Sequence, residues 1–423
     1  MKRGINLFAF YILLCFPLGA AEVQTLPCVV HETLTRNPDV LESWAILMAT
    51  QAECERARSD FFPQVDVRGA YGREKSERPE IEGKIYLNRT EKGFFVYQPL
   101  FTGFRTLNAV KQSNQEIVAA CFWKNYVKEQ LALQAVQVYL DVLRLHRLKV
   151  LSEENVGTHE QTLDKVTILY EGGGGNQTDV DLARGRLARS RSSLHSVEAA
   201  YEDAKGRFFQ VVGCMPQQLE MPLEVPQIPD SLAVAEEISL QNHPLLQREQ
   251  HLMCAASASI NVAKAEFYPQ VNVELRADDN RNIFGIRGQR KSLLGMVVVN
   301  YNIFRGGHDR ALVRQARQDY CAALHRTHST CREIVQEITE AWDAFIAHQF
   351  RLEELQFHVK SSQEVLEDYR KQFTMARRTL LDVLNMENEL FNAKVDLVNG
   401  EHDLLLDRYV ILANMGMLVV YFF

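Results

Sequence analysis

Little in this 423-residue chain is spaced for catalysis. A zinc protease needs His-Glu-x-x-His on one helix face, and an acyl-transfer enzyme needs a Gly-x-Ser-x-Gly turn; the sequence holds neither. Gly172 to Gly175 could approach a phosphate, but Asn176-Gln177-Thr178 follows where a phosphate loop carries its lysine. His325 and His328 share a helix face and could bind a metal, although a solvated pair is the commoner outcome of such spacing. Arg305-Gly306-Gly307 occurs once, a weak signal for RNA. The expectation is a protein that is not an enzyme and holds no cofactor or metal.

Cysteine and charge narrow the class. Beyond residue 21 seven cysteines remain, an odd number without a CxxC, so neither a dense disulfide framework nor a zinc site is indicated. Cys28 and Cys54 could pair; the others read as small buried apolar groups on helices. The formal net charge is −7, and about −9 without Lys2 and Arg3, which argues against nucleic acid as a partner.

Residues 1–21 read as a signal peptide. Lys2 and Arg3 precede a short apolar stretch, Ile5 to Leu18, and Gly19 and Ala21 are the small residues that favour cleavage. Bulky Leu14 before Cys15 speaks against a lipid-anchored form. No later segment offers the roughly 18 apolar residues of a membrane helix. An exported chain of this kind is either soluble outside the cytoplasm or a β-barrel, whose strands hide their membrane signal by alternating.

What organises the chain is a duplication. Asn37-Pro38 and Phe61-Phe62-Pro63-Gln64-Val65-Asp66-Val67 recur as His243-Pro244 and Phe267-Tyr268-Pro269-Gln270-Val271-Asn272-Val273, at an offset of 206. Downstream, Leu100-Phe101-Thr102-Gly103 matches Ile303-Phe304-Arg305-Gly306 at an offset of 203, which holds through Asp179 against Asp382 and Gly213 against Gly416. The three-residue difference must fall in an exposed loop between the Pro-Gln strand and the Phe-x-Gly turn. Repeat 1 spans 22–230, with a helix, a β-hairpin at about 64–101 and a long helix pair at about 103–213. Repeat 2 spans 231–423, with its hairpin at about 270–304 and its helix pair at about 306–416.

Alternation defines the strands. Val65, Val67, Gly69 and Tyr71 oppose Gln64, Asp66 and Arg68, and Val271, Val273, Leu275 and Ala277 oppose Gln270, Asn272, Glu274 and Arg276. Returning strands are expected at Gly93 to Phe101 and Leu294 to Phe304, with long polar loops at 73–92 and 278–292. Between Gly103 and Tyr170 no proline occurs and glycine appears only at 157, room for a helix of roughly 100 Å at 1.5 Å per residue. Ile334, Ile338, Trp342, Phe345, Leu352, Leu355 and Val359 mark a coiled-coil seam on its counterpart. Shorter helices follow at about 178–212 and 380–415, with Gly172 to Gly175 folding the first pair back on itself. Two hairpins give four strands, too few to close a barrel, and a lipid-exposed edge is not tolerated. A homotrimer would supply twelve.

In this order, twice, these motifs are strong: Asn37-Pro38, Phe62-Pro63-Gln64-Val65, Pro99-Leu100-Phe101-x-Gly103, His243-Pro244, Tyr268-Pro269-Gln270-Val271, Phe304-Arg305-Gly306-Gly307 and Thr379-Leu380-Leu381-Asp382-Val383-Leu384-Asn385, leading to Leu390-Phe391-Asn392-Ala393-Lys394. Across essentially the whole mature chain the pattern resembles the TolC-like outer-membrane efflux family. The resemblance implies an α+β membrane fold: a four-stranded contribution per chain to a trimeric β-barrel, on antiparallel coiled-coil helices forming a periplasmic α-barrel. It also implies that Asp382 is a constriction carboxylate. Asn385 stands where the second aspartate is usual, Arg378 falls on the tethering arginine, and Thr178 and Asp179 fall on its partners. Phe373 replaces a tethering tyrosine, so that hydroxyl contact is lost. An Arg378–Asp179 ion pair between such groups would be weak and breakable. Three Asp382 carboxylates around an axis would attract cations and raise at least one pKa.

The expected localisation is the cell outer membrane, in contact with its lipid, with a periplasmic extension. Tyr71-Gly72-Arg73-Glu74 and Tyr301-Asn302-Ile303-Phe304-Arg305-Gly306-Gly307 resemble the branch serving type I secretion of proteins, which implies an inner-membrane ABC transporter and a periplasmic adaptor as partners. Small-molecule efflux is the alternative cargo. A periplasmic coiled-coil scaffold without a pore is the rival from another class; it explains the helices but not the duplicated amphipathic hairpins.

Overall fold

The asparagine–proline pair of the first repeat starts a helix by chemistry visible in the sequence. The Asn37 side-chain oxygen accepts the Asp39 N–H at 2.9 Å, and Pro38 fills the first helical position, where no N–H is needed. This boundary separates α1 (Leu26–Arg36) from α2 (Pro38–Ser59), and His243-Pro244 likewise separates α5 (Leu232–Asn242) from α6 (Pro244–Lys264). The long helices are α3 (Arg105–Glu171) and α7 (His308–Thr374), each followed by a shorter one, α4 (Gln177–Val212) and α8 (Leu380–Asn414). A last short helix, α9 (Leu418–Phe422), ends the chain. The structure, a computed structural model, describes residues 24–78, 81–375 and 377–423. The expected signal peptide, 1–21, lies outside the described residues.

The strands β1 (Gln64–Arg78), β2 (Ile81–Phe101), β3 (Gln270–Arg281) and β4 (Gln289–Asn300) form one antiparallel sheet in the order β1-β2-β3-β4. Their register puts apolar residues in rows across one face: Val65–Val96–Leu275–Gly295 and Val67–Phe94–Ala277–Leu293. The rows beside them on the other face are Asp66–Phe95–Arg276–Leu294 and Arg68–Gly93–Asp278–Ser292. There Arg276 donates to Asp278 at 2.6 Å. Among the described residues nothing covers the apolar face: Val67 is 81 % exposed and Leu293 84 %.

The expected loops 73–92 and 278–292 are corrections. Residues 73–78 and 84–92 are paired strand, and the second turn shrinks to 282–288. The charges read as loop chemistry instead lace the ladder: Arg89 donates to Glu74 at 2.7 Å and also pairs with Glu91, while Lys84 lies 3.6 Å from Glu77. Cross-strand pairs of opposite charge support a strand wherever both faces meet water. At the other end, β4 stops at Asn300, short of the expected 304, because the Asn302 side chain turns to Asp309 (2.5 Å) at the start of α7.

Two compact units can be described, each drawing on both repeats. One comprises 34–133, 226–351 and 404–423 and holds the sheet. In it Gly103 takes φ +64°, and a Cβ there would stand 2.6 Å from the Ala265 carbonyl oxygen and 2.9 Å from the Tyr268 Cβ. Only glycine fits both the left-handed backbone and the close approach. Gly306, its counterpart, shares the positive φ but faces open space. Gly103→Ala is therefore expected to cost about 3 kcal/mol and Gly306→Ala about 1 kcal/mol. Equal losses of thermal stability in the two variants would refute the contact. In the same unit the buried Glu129 carboxylate on α3 accepts the N–H groups of Leu418 (3.1 Å) and Val419 (3.2 Å), capping α9. Buried His243 has no partner for its Nδ1.

The other unit comprises the described residues up to 33, 134–225 and 352–403. Gly213 ends α4 at φ +89°, as expected, and Asn176 caps the start of that helix, with its side chain accepting the Asp179 N–H at 2.8 Å. Val166, Val180, Leu380 and Leu384 form a buried cluster beside these turns, with Phe373 packed against it. Gly400 on α8 admits Leu355 of the expected seam, whose Cδ1 would lie 2.8 Å from a Cβ at that position. The Tyr139 hydroxyl lies 2.5 Å from the Glu220 carbonyl and 2.9 Å from that of Gln24, and burial pushes it up to about 12.

Cys28 and Cys54 are free thiols, so the possible disulfide is not formed. Cys54 is buried and donates instead to the Asn114 side chain at 3.4 Å. Of the others, Cys121, Cys214, Cys321 and Cys331 are half-buried and Cys254 is exposed, against the expectation of buried groups.

Candidate functional site

The candidate gate residues collect where each long helix turns back. Thr379 and Asp382 make a reciprocal cap at the start of α8: the Thr379 hydroxyl donates to the Asp382 carboxylate at 2.8 Å and accepts the Asp382 N–H at 3.2 Å. One half of this cap recurs 203 residues earlier, where the Asn176 side chain accepts the Asp179 N–H, so the two aspartates are equivalent positions of the duplication. The hydrogen bond from the Thr379 hydroxyl, then that from its N–H, holds the Asp382 carboxyl below the usual range, with Arg378 at 3.8 Å adding to the effect.

Arg378 also bonds Gln372 at 3.2 Å, and its guanidinium lies 4.2 Å from the centre of the Tyr369 ring. Among the described residues of one chain its partners do not include Asp179. Asn385 accepts a hydrogen bond from Arg186 at 2.7 Å, so it bridges α8 to α4. Thr178 is exposed in the first turn of α4. Phe373 keeps the packing of an aromatic at its position without a hydroxyl to donate.

Sequence reasoning missed a polar cluster beside these residues. His159 and Glu387, both nearly fully buried, lie 3.8 Å apart, and Arg370 donates to the other Glu387 oxygen at 2.9 Å. The facing atoms, His159 Nδ1 and Glu387 Oε2, have no other partner. Burial pushes the His159 imidazole down, Glu387 pulls it up and Arg186 pushes it down. The signal was present: Glu387 continues the buried Leu380–Val383–Leu384 stripe at helical spacing, a carboxylate where an apolar residue is expected. Among the described residues no group of three or more His, Cys, Asp or Glu could hold a metal ion, and His325 and His328 contact only edge to face, with ring centres 6.3 Å apart.

The family profile described as "Outer membrane efflux protein" matches residues 29–213 and 237–415. The chain is 24 % identical over 398 residues to the outer membrane efflux protein BepC of Brucella suis, covering 94 % of this chain and 86 % of that one. It is 19 % identical over 288 residues to the alkaline protease secretion protein AprF of Pseudomonas aeruginosa, covering 66 % and 59 %. The crystal structure of CusC superposes with a TM-score of 0.82 over 92 % of both chains at 17 % identity, a likeness of fold. The two matched segments of the profile coincide with the two repeats, each a hairpin followed by a long and a short helix. The chain belongs to the outer-membrane efflux protein family, a family of channels and not of enzymes, with its sheet in the outer membrane and a helical tunnel in the periplasm.

Proposed function

We propose that three copies of this chain close into a twelve-stranded barrel and serve as the outer duct of an export system. One observation carries this: the sheet has two open edges, β1 and β4, and an uncovered apolar face. In lipid every strand edge must be paired, and β4 of one copy against β1 of the next satisfies both edges with cyclic symmetry. In this reading a periplasmic adaptor and an inner-membrane ABC transporter hand over the cargo, which is protein, as in type I secretion. The residues Tyr71-Gly72-Arg73-Glu74 within β1 and the turn at 301–307 support that cargo, as does AprF by its name. Small-molecule efflux is the second reading, favoured by the name of BepC, which matches over more of the chain.

Mass spectrometry of secreted and surface proteins from wild-type and gene-deleted cells separates them. Loss of one or a few large proteins, restored by complementation, supports secretion. An unchanged profile with new drug sensitivity replaces it with efflux.

In the same reading Asp382 rings the narrow end of the duct, and Arg378, Thr178, Asp179, Asn385 and Phe373 set how firmly that end is held. Asp382→Asn, which keeps an oxygen to cap α8, is expected to weaken block by multivalent cations severalfold in single-channel recordings. Arg378→Ala and Asp179→Ala are expected to raise conductance. Unchanged values in all three remove these residues from the gate.

A further inference from the structure

The first turns of α7 carry a basic patch that neither the proposed duct nor its gate uses. Arg310, Arg314 and Arg317 stand on one helix face and line an open cleft of about 670 Å³ with Lys264 at the end of α6. The apolar members of the lining are Phe267 and Val313. The nearby carboxylates are already engaged: Glu266 pairs with Arg305 (2.8 Å) and with Arg105, and Asp309 takes Asn302 and Arg305. Among the described residues none of the three cleft arginines has a carboxylate partner, and Lys264 bonds only the neutral Asn261 side chain. Four cations therefore share one cleft without internal neutralisation. At the corresponding positions of the first repeat stand Leu107, Lys111, Asn114 and Arg58, where Arg58 is bonded to Asn114, so the patch occurs once per chain.

Its surroundings say what would occupy it. Phe267, Tyr268, Tyr301 and Phe304 are exposed between the strand ends and the cleft, with Phe304 82 % exposed. Exposed aromatics at the rim of an apolar band mark a membrane–water interface. Arg310 to Arg317 extend roughly 10 Å along the helix from there, a distance that covers the headgroup layer at about 5–8 Å beyond the hydrocarbon. Guanidinium groups bind phosphate oxygens in a matched fork, and a cleft with a cationic floor and an apolar wall suits an amphiphile. We propose that this cleft binds the phosphate headgroup of an anionic phospholipid from the periplasmic leaflet, with an acyl chain against Phe267. The inference rests on the outer-membrane location and is independent of the cargo.

The test uses the purified full chain in detergent, offered phosphatidylglycerol or phosphatidylcholine and read by native mass spectrometry. Phosphatidylglycerol should bind in preference to phosphatidylcholine and persist in excess inorganic phosphate. Arg314→Gln should weaken its binding about fivefold and the triple variant R310Q/R314Q/R317Q about a hundredfold. Arg287→Gln with Arg290→Gln, away from the cleft, should leave it unchanged. Equal binding of the two lipids, displacement by inorganic phosphate, or full retention in Arg314→Gln would each overturn the proposal. The single variant removes one exposed side chain, so the test does not depend on the triple variant folding.

Discussion

Val297→Arg is expected to abolish most barrel assembly, while Met296→Arg, one residue away, leaves it near wild type. Val297 lies on the apolar face opposite Val273 and is 67 % exposed within the chain. In a bilayer that exposure becomes contact with acyl chains, and an arginine near the midplane costs about 2–4 kcal/mol in each chain. A ring of three incurs the cost three times, a large fraction of any membrane protein's margin. Met296 points to the other face, opposite Glu274, where a cation gains a cross-strand partner. The measurement is the fraction of heat-modifiable, SDS-resistant oligomer in extracted membranes. If Val297→Arg assembles normally, or both variants fail alike, the face assignment is wrong and the barrel proposal falls with it.

The second large effect is a pair of opposed pH slopes that conceal each other. Burial raises Glu129 to about 7, against the pull of the Val419 and Leu418 N–H groups, and burial lowers His243 to about 4. Glu129 binds more protons folded than unfolded between its ordinary value and 7, so its contribution is complete at low pH and is lost as pH rises through 7. His243 binds fewer protons folded than unfolded, so its contribution is complete above about 6.5 and is lost as pH falls towards 4. Each displacement corresponds to about 3 kcal/mol at 1.36 kcal/mol per unit. The two windows overlap from about 4.5 to 6.5, where the slopes cancel.

Glu129→Gln should therefore expose a fall in thermal stability on acidification from 6.5 to 4. His243→Asn should expose the reverse, a fall as pH rises from 4.5 to 7. The asparagine is the residue the first repeat already uses at this place, Asn37, which caps α2. Melting in detergent across pH 4–8 reads both. Parallel curves for wild type and the two variants would mean that neither group titrates as its burial requires.

These effects also mark where the sequence was legible. The duplication, the glycine turns at Gly213 and Gly416, and the strand starts at Gln64 and Gln270 follow from local chemistry: an uncapped helix needs a left-handed residue to end it, and a strand with one wet face must alternate. The outer half of β2 was not legible, because a ladder exposed to water on both faces has no period to detect; its cross-strand charge pairs, Arg89 with Glu74 and Lys84 with Glu77, emerge with the register. Glu129 was out of reach for another reason. Its partners lie 289 and 290 residues away, and nothing near Glu129 distinguishes a buried cap from a solvated helix carboxylate. At the candidate gate, the caps at Asn176 and Thr379 were local and readable, whereas the His159–Glu387 pair depends on how four helices meet.

The seam between β2 and β3 has an ancestry written into it. It joins the hairpin of one repeat to the hairpin of the next by the same antiparallel pairing that the proposed ring needs between β4 and β1 of neighbouring chains. Single repeats, unfused, would need six separate copies to close the same ring, each pairing its two edges with two neighbours. In the proposed ring, fusion of two repeats makes three of the six seams tethered ones, at an effective concentration set by the connecting chain instead of by expression level. The fused ring needs only threefold symmetry where single repeats would need sixfold. Positions that sixfold symmetry would hold identical are free to differ under threefold, as Asn37 differs from His243 and Leu107 from Arg310.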